Sequence, residues 1–108
     1  MKNIMIATTV LIGFWIFSSG CKKESPGPDS VWMQNTAFTP NSITVPVSTT
    51  VTWTNKDAMI HNVTSDSGWF ASGDITPNGT YSHQFASAGT FTYRCTIHAG
   101  MTGKVIVQ

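Results

Sequence analysis

From residue 30 onward apolar and polar positions alternate in short runs. In "TVTWTN" Val51, Trp53 and Asn55 share one face and threonines take the other. "TYSHQF" sets Tyr81, His83 and Phe85 together, and "KVIVQ" closes the chain. A period of two is that of a strand with one covered face, because successive side chains point to opposite sides. Runs rich in Val, Ile, Thr and aromatics predict strands near 31–35, 42–47, 49–55, 60–66, 79–86, 90–95 and 103–108. Asn55-Lys56-Asp57, Pro77-Asn78-Gly79 and Ala88-Gly89 supply turns between them. No stretch carries a helical period of useful length and no segment repeats. About seven short strands in a small domain predict an all-β antiparallel sandwich or barrel.

The first thirty residues read differently. Lys2 and the apolar run from Ile4 to Phe17 have the charged and hydrophobic parts of a secretion signal. The run falls short of the about 20 residues that a membrane-spanning helix needs. "SSGC" follows at 18–21, small residues leading into a cysteine, and resembles a bacterial lipoprotein signal. Cys21 would then carry the lipid after cleavage, although Ser18 stands where such signals usually have leucine. "KKESPGPDS" at 22–30 is polar and broken by Pro and Gly, so it reads as a tether. The expected organisation is a signal peptide over 1–20, a lipidated cysteine and flexible tether over 21–30, and one domain over 31–108. The protein is expected on the periplasmic or cell-surface side of a bacterial membrane.

Charge narrows the partners. Beyond residue 21, Lys22, Lys23, Lys56, Arg94 and Lys104 balance Glu24, Asp29, Asp57, Asp66 and Asp74. No basic stripe offers a footprint for nucleic acid. Small exported domains are often stapled by disulfides. Here a lipidated Cys21 would leave Cys95, the other of the two cysteines, without a partner. A lone thiol in an oxidising compartment needs protection, and metal coordination provides it.

"YRCTIHAGM" at 93–101 spaces Cys95, His98 and Met101 three apart, on the loop between the last two predicted strands. These residues offer a thiolate, an imidazole and a thioether. One His and one Cys still call for another strong ligand. His61, just after the turn residues Lys56 to Ala58, can reach the same end of a sandwich. Two imidazoles, a thiolate and a weak thioether form the trigonal set with axial Met that suits blue copper. Zinc ordinarily takes four strong donors in a tetrahedron. The plainer readings are a surface histidine at 61, a buried inert thiol at 95, an exposed loop histidine at 98 and a core plug at Met101.

"VTWTNKDAMIHNVTSD", "GTYSHQFASAGTFTYRCTIHAGM" and "GKVIVQ" resemble the plastocyanin and azurin family of cupredoxins, and by ligand spacing its amicyanin branch, over about residues 38–108. The resemblance implies a Greek-key β-sandwich of 7–8 strands and one type 1 copper held by His61, Cys95, His98 and axial Met101. It also implies that the Asn62 N–H donates to the thiolate and that the Asn62 side chain ties the two ligand loops together through Thr96. The family's ligand loop has prolines where this chain has Ile97 and Ala99, and an aromatic where it has Gly100. Such a loop should be less rigid, and partner identity does not carry over.

The function expected is one-electron transfer between redox proteins, a donor and an acceptor such as a cytochrome, dehydrogenase or oxidase, by a monomer. The alternative weighed is a copper-delivery protein, which would ordinarily show Met-rich or exposed His/Met sites. Copper oxidases need further copper centres, so no enzyme activity is expected. Met59, Ile60, Ile97, Ala99 and Gly100 should form an uncharged docking patch around His98. His83, between Tyr81 and Phe85, reads as a partly buried histidine rather than a ligand. Trp53, Phe85, Phe91 and Tyr93 are core candidates, with Trp69-Phe70 packed over one sheet.

Overall fold

The computed structural model describes residues 24–108; the expectations for the signal region and Cys21 lie outside them. Eight strands form: β1 (Ser30–Met33), β2 (Phe38–Thr39), β3 (Ser42–Val45), β4 (Thr49–Asn55), β5 (Thr64–Ser65), β6 (Thr80–Phe85), β7 (Gly89–Arg94) and β8 (Thr102–Val107). They make two four-stranded sheets, ordered β2-β1-β4-β6 and β3-β8-β7-β5. Two packed sheets are how strands with one apolar face bury it. The alternation is borne out on β4, where Val51, Trp53 and Asn55 are buried, and on β8, where Val105 and Val107 are.

Two features depart from the sequence reading. The sandwich is not wholly antiparallel, because β1 runs parallel to β4 and β3 parallel to β8. The chain changes sheet after every strand from β2 to β6, so only β1–β2 and β7–β8 pair as neighbours in sequence. The run at 60–66 is also not one strand. Only Thr64 and Ser65 join β7, while His61 and Thr64 form isolated bridges with Ile75 and Ala71. Three residues separate the bridge positions on one side and four on the other, so the second segment carries a bulge. Gly73 supplies it at φ +73°, and the Ser72 hydroxyl takes the Val63 N–H at 2.8 Å.

Trp53 sits in the middle of the core with no exposed surface. Its ring lies 5.4 Å from Tyr93, 5.7 Å from Tyr81 and 6.0 Å from Phe70, centroid to centroid. Val31, Met33, Val51, Val63 and Val105 are buried around it. Each such side chain contributes about 1.5–3 kcal/mol when removed from water. On β6, only Phe85 is buried, while Tyr81 and His83 are half-covered. β6 is an edge strand, and the covering side chain is Phe70, whose ring stacks on His83 at 4.7 Å. Trp69 points out instead, 69% exposed. One end of the sandwich collects the close of β4, the close of β7 and the start of β8. The loops 56–61 and 95–101 meet there.

Candidate metal centre

Loop 95–101 is folded by its own backbone. The Cys95 N–H donates to the Met101 carbonyl at 3.0 Å, and the Met101 N–H to the His98 carbonyl at 3.3 Å. The second bond closes a four-residue turn, His98 to Met101, with Gly100 at φ +85° in its third position. That is the conformation of a type II turn, which favours glycine there. A Cβ on Gly100 would meet nothing within 4 Å, so backbone conformation rather than crowding explains the residue. The turn leaves Cys95 and Met101 buried, at 2% and 3% exposure, and the His98 ring half-covered.

Loop 56–61 is held from below by Asn55, which is fully buried. Its Nδ2 donates to the carbonyls of Met59 at 2.8 Å and Ile75 at 2.9 Å. Its Oδ1 accepts the Asp57 N–H at 2.9 Å. Ile75 in turn exchanges two backbone hydrogen bonds with His61. The His61 side chain is fully buried, and its Nε2 meets Asp57 Oδ2 at 2.8 Å. The other oxygen and this one also accept the amides of Asn35 at 2.7 Å and Thr36 at 2.9 Å. Burial alone would raise the Asp57 carboxyl, but the Thr36 amide, His61 and the Asn35 amide outweigh it and hold it below its ordinary value. An anionic Asp57 accepts the Nε2 proton, which leaves His61 Nδ1 as the free donor atom.

That Nδ1 stands 3.9 Å from Cys95 Sγ, and His98 Nδ1 stands 3.7 Å from the same sulfur. All three donor atoms lie within 4.8 Å of one another. Metal–nitrogen bonds of about 2.0–2.1 Å and a metal–sulfur bond of about 2.3 Å, meeting at a trigonal angle, separate N from S by about 3.8 Å. Both N–S separations match that spacing. The Asn62 N–H donates to Cys95 Sγ at 3.4 Å. The Asn62 side chain donates to Thr96 Oγ1 at 2.8 Å and accepts the Thr96 N–H at 3.0 Å. Two hydrogen bonds thus join the loop after His61 to the loop after Cys95.

The chain matches the family model of the cupredoxin-like domain over residues 6–107. It belongs to the cupredoxin-like family. Among curated relatives it is 36% identical to the amicyanin-alpha of Methylorubrum extorquens, over 80% of this chain and 77% of that one. It is 36% identical to the plastocyanin of Scenedesmus fuscus, over 66% of this chain and 86% of that one. Among solved structures, a Cu(I) form of an amicyanin variant superposes with a TM-score of 0.71 at 32% identity, covering 80% of this chain and 87% of that one. A purple cupredoxin from Nitrosopumilus maritimus gives 0.67 at 28% identity, over 73% and 98%.

The cupredoxin-like site brings His61, Cys95 and His98 together as the spacing indicated, with Met101 buried on the same loop. Met59, Ile60 and Ile97 are exposed at 44%, 40% and 48%, and Ala99 and Gly100 are exposed beside them. His83 lies on β6 in the aromatic layer and outside the donor group. Sequence reasoning missed Asp57, taken only as a turn residue, and missed Asn55 as the clamp of the loop. A carboxylate four residues before a ligand histidine was the available sign for the first. A polar residue ending an otherwise apolar inward face was the sign for the second.

Proposed function

We propose that this protein carries single electrons between redox proteins on one copper ion, which His61 Nδ1, Cys95 Sγ and His98 Nδ1 would hold with the Met101 thioether as a weaker fourth donor. The observation that carries this reading is the buried Cys95 sulfur placed 3.7 and 3.9 Å from two imidazole nitrogens. Soft thiolate and thioether donors beside two imidazoles favour copper. Copper bound there supplies a one-electron couple. The chain's own part is to hold the donors still: Asp57 fixes the His61 ring, and the Asn62–Thr96 bonds keep the two loops in register. The protein is read as a carrier rather than an enzyme, in line with its amicyanin and plastocyanin relatives.

The test is the visible spectrum of the copper-loaded protein. An intense thiolate-to-Cu(II) band is expected, and Cys95→Ser should lose it while circular dichroism shows the sheets intact. A colourless, freely exchanging ion in the parent would support copper delivery instead.

The half-covered His98 ring, ringed by Met59, Ile60, Ile97, Ala99 and Gly100, is the docking surface for donor and acceptor. A small uncharged patch suits brief encounters. Ile97→Glu should slow electron exchange with a partner far more than it shifts the potential, and equal rates would move the docking surface elsewhere. The carrier works outside the cytoplasm, lipid-anchored at Cys21 as a monomer. Cys21→Ala should move it from the membrane to the soluble fraction with copper binding intact; a variant still bound through an uncleaved apolar segment would overturn lipidation.

A further inference from the structure

The Asp57 carboxylate is shared between the metal centre and a surface turn on another part of the fold. The two-residue turn joining β1 to β2 is closed by Gln34 and Ala37, whose N–H groups each donate to the other's carbonyl. Between them Asn35 and Thr36 both take left-handed conformations, at φ 56° and 57°. Such a turn matches the twist of the strands but usually contains glycine. A β-branched threonine there is strained. The turn also points two successive amides outward as a cradle for an anion. Asp57 fills that cradle, with Oδ1 on the Asn35 amide and Oδ2 on the Thr36 amide. The same Oδ2 meets His61 Nε2. Its side chain is only 13% exposed, so water competes poorly for these bonds.

We infer that Asp57 is a positioning residue that fixes the tautomer and ring of His61 and couples the β1–β2 turn to the metal centre. This rests on the reading of the site as a copper carrier. The chain of contacts is short: metal donor Nδ1, the imidazole ring, Nε2 to Oδ2, and from the carboxylate to two turn amides. An anion against the far side of a ligand imidazole makes it a stronger donor. That favours the higher charge of Cu(II), so Asp57 lowers the reduction potential. Conversely, whatever moves the turn moves the carboxylate and hence the ligand.

Two variants separate charge from hydrogen bonding. Asp57→Asn keeps an acceptor in place without the charge, and Asp57→Ala removes both. In copper-loaded protein both should raise the reduction potential, and Asp57→Ala should lose Cu(II) on the order of tenfold more readily. In the metal-free protein, nitrogen NMR should find His61 as the single Nε2–H tautomer in the parent and a mixture in Asp57→Ala, with Asp57→Asn closer to the parent. Loading Cu(I) should shift the Asn35 and Thr36 amide resonances in the parent and leave them still in Asp57→Ala. A parent with its thiolate band, but with potential and tautomer unchanged in both variants, would overturn the inference. Turn amides that ignore Cu(I) would overturn the coupling. A parent without the band but with the tautomer pattern would keep the positioning role and reject the copper reading instead.

Discussion

Replacing Asn55 with alanine probes what holds the His61 loop. Asn55 is wholly buried and makes three side-chain hydrogen bonds of 2.8–2.9 Å, to Met59, Ile75 and Asp57. Each such bond contributes about 1 kcal/mol net. The loss is softened because the Ile75 carbonyl keeps the His61 N–H at 3.2 Å, and because Met59 is exposed enough for water to reach its carbonyl. The space left by the amide group adds roughly 1 kcal/mol. The expected destabilisation is about 3 kcal/mol. Urea unfolding of the metal-free protein is the assay, since bound metal would add its own stabilisation. With a slope of about 1 kcal/mol per molar for a domain this small, the midpoint should fall by about 3 M. Asn55→Asp is the sharper companion, because it keeps the volume while aiming an oxygen at two carbonyls, and it should cost at least as much. A midpoint shift under about 1 M in Asn55→Ala, or a neutral Asn55→Asp, would refute the clamp.

Met101→Gln should keep copper and lower the reduction potential, because an amide oxygen is a harder donor than a thioether and favours Cu(II); an unchanged potential and spectrum would reduce Met101 to packing. Gly103→Ala should cost more than about 1–3 kcal/mol in thermal or urea unfolding, since the added Cβ would lie 2.5 Å from Cζ and Oη of the buried Tyr93; a parent-like midpoint would mean that the ring moves freely. Burial between Phe70 and Phe85 depresses the His83 pKa below the ordinary imidazole value. The folded state thus prefers neutral His83, and its contribution is present above the unfolded pKa of about 6.5 and lost as pH falls through the lower folded value. A proton NMR titration should find that lower midpoint, and an ordinary one would place the ring in water.

The chemistry of the site was legible because it is local. Cys95, His98 and Met101 share one loop, and a thiol spaced three residues from an imidazole and six from a thioether has few other uses. The inward face of β4 was legible too, since Val51, Trp53 and Asn55 alternate with threonines. What escaped was set by contacts between distant segments. β2 is two residues long, too short for any period to show, and the Tyr93 ring that meets Phe38 edge-on at 4.8 Å comes from distant β7. The parallel pairing of β3 with β8 depends on a crossover that alternation does not encode. The 60–66 run had the composition of a strand, but the bulge at Ser72–Gly73 breaks its ladder with the following segment. Asp57 reads as a turn residue until β1 and β2 bring the Asn35 and Thr36 amides to its carboxylate.

The absence of loop prolines led to the expectation of a less rigid ligand loop, and the hydrogen bonds now bear on that directly. Loop 95–101 is closed by Cys95 to Met101 and by Met101 to His98. It is tied across to the His61 loop by the paired Asn62–Thr96 bonds at 2.8 and 3.0 Å, and the Asn62 N–H reaches the sulfur. The Asn62 side-chain Oδ1 also accepts from Thr64 Oγ1 at 2.9 Å, so the amide is oriented from both sides. Rigidity here comes from backbone bonds and one asparagine. Asn62→Ala should therefore leave the sulfur contact, which is backbone, and remove only the tie between the loops. The thiolate band should survive with little change in energy, whereas the electron self-exchange rate, read from NMR line widths of mixed Cu(I) and Cu(II) protein, should fall. Two donor loops free to move separately must reorganise more with each change of charge. An unchanged self-exchange rate in Asn62→Ala would mean that the sheet ends alone hold the donors and that the tie serves stability.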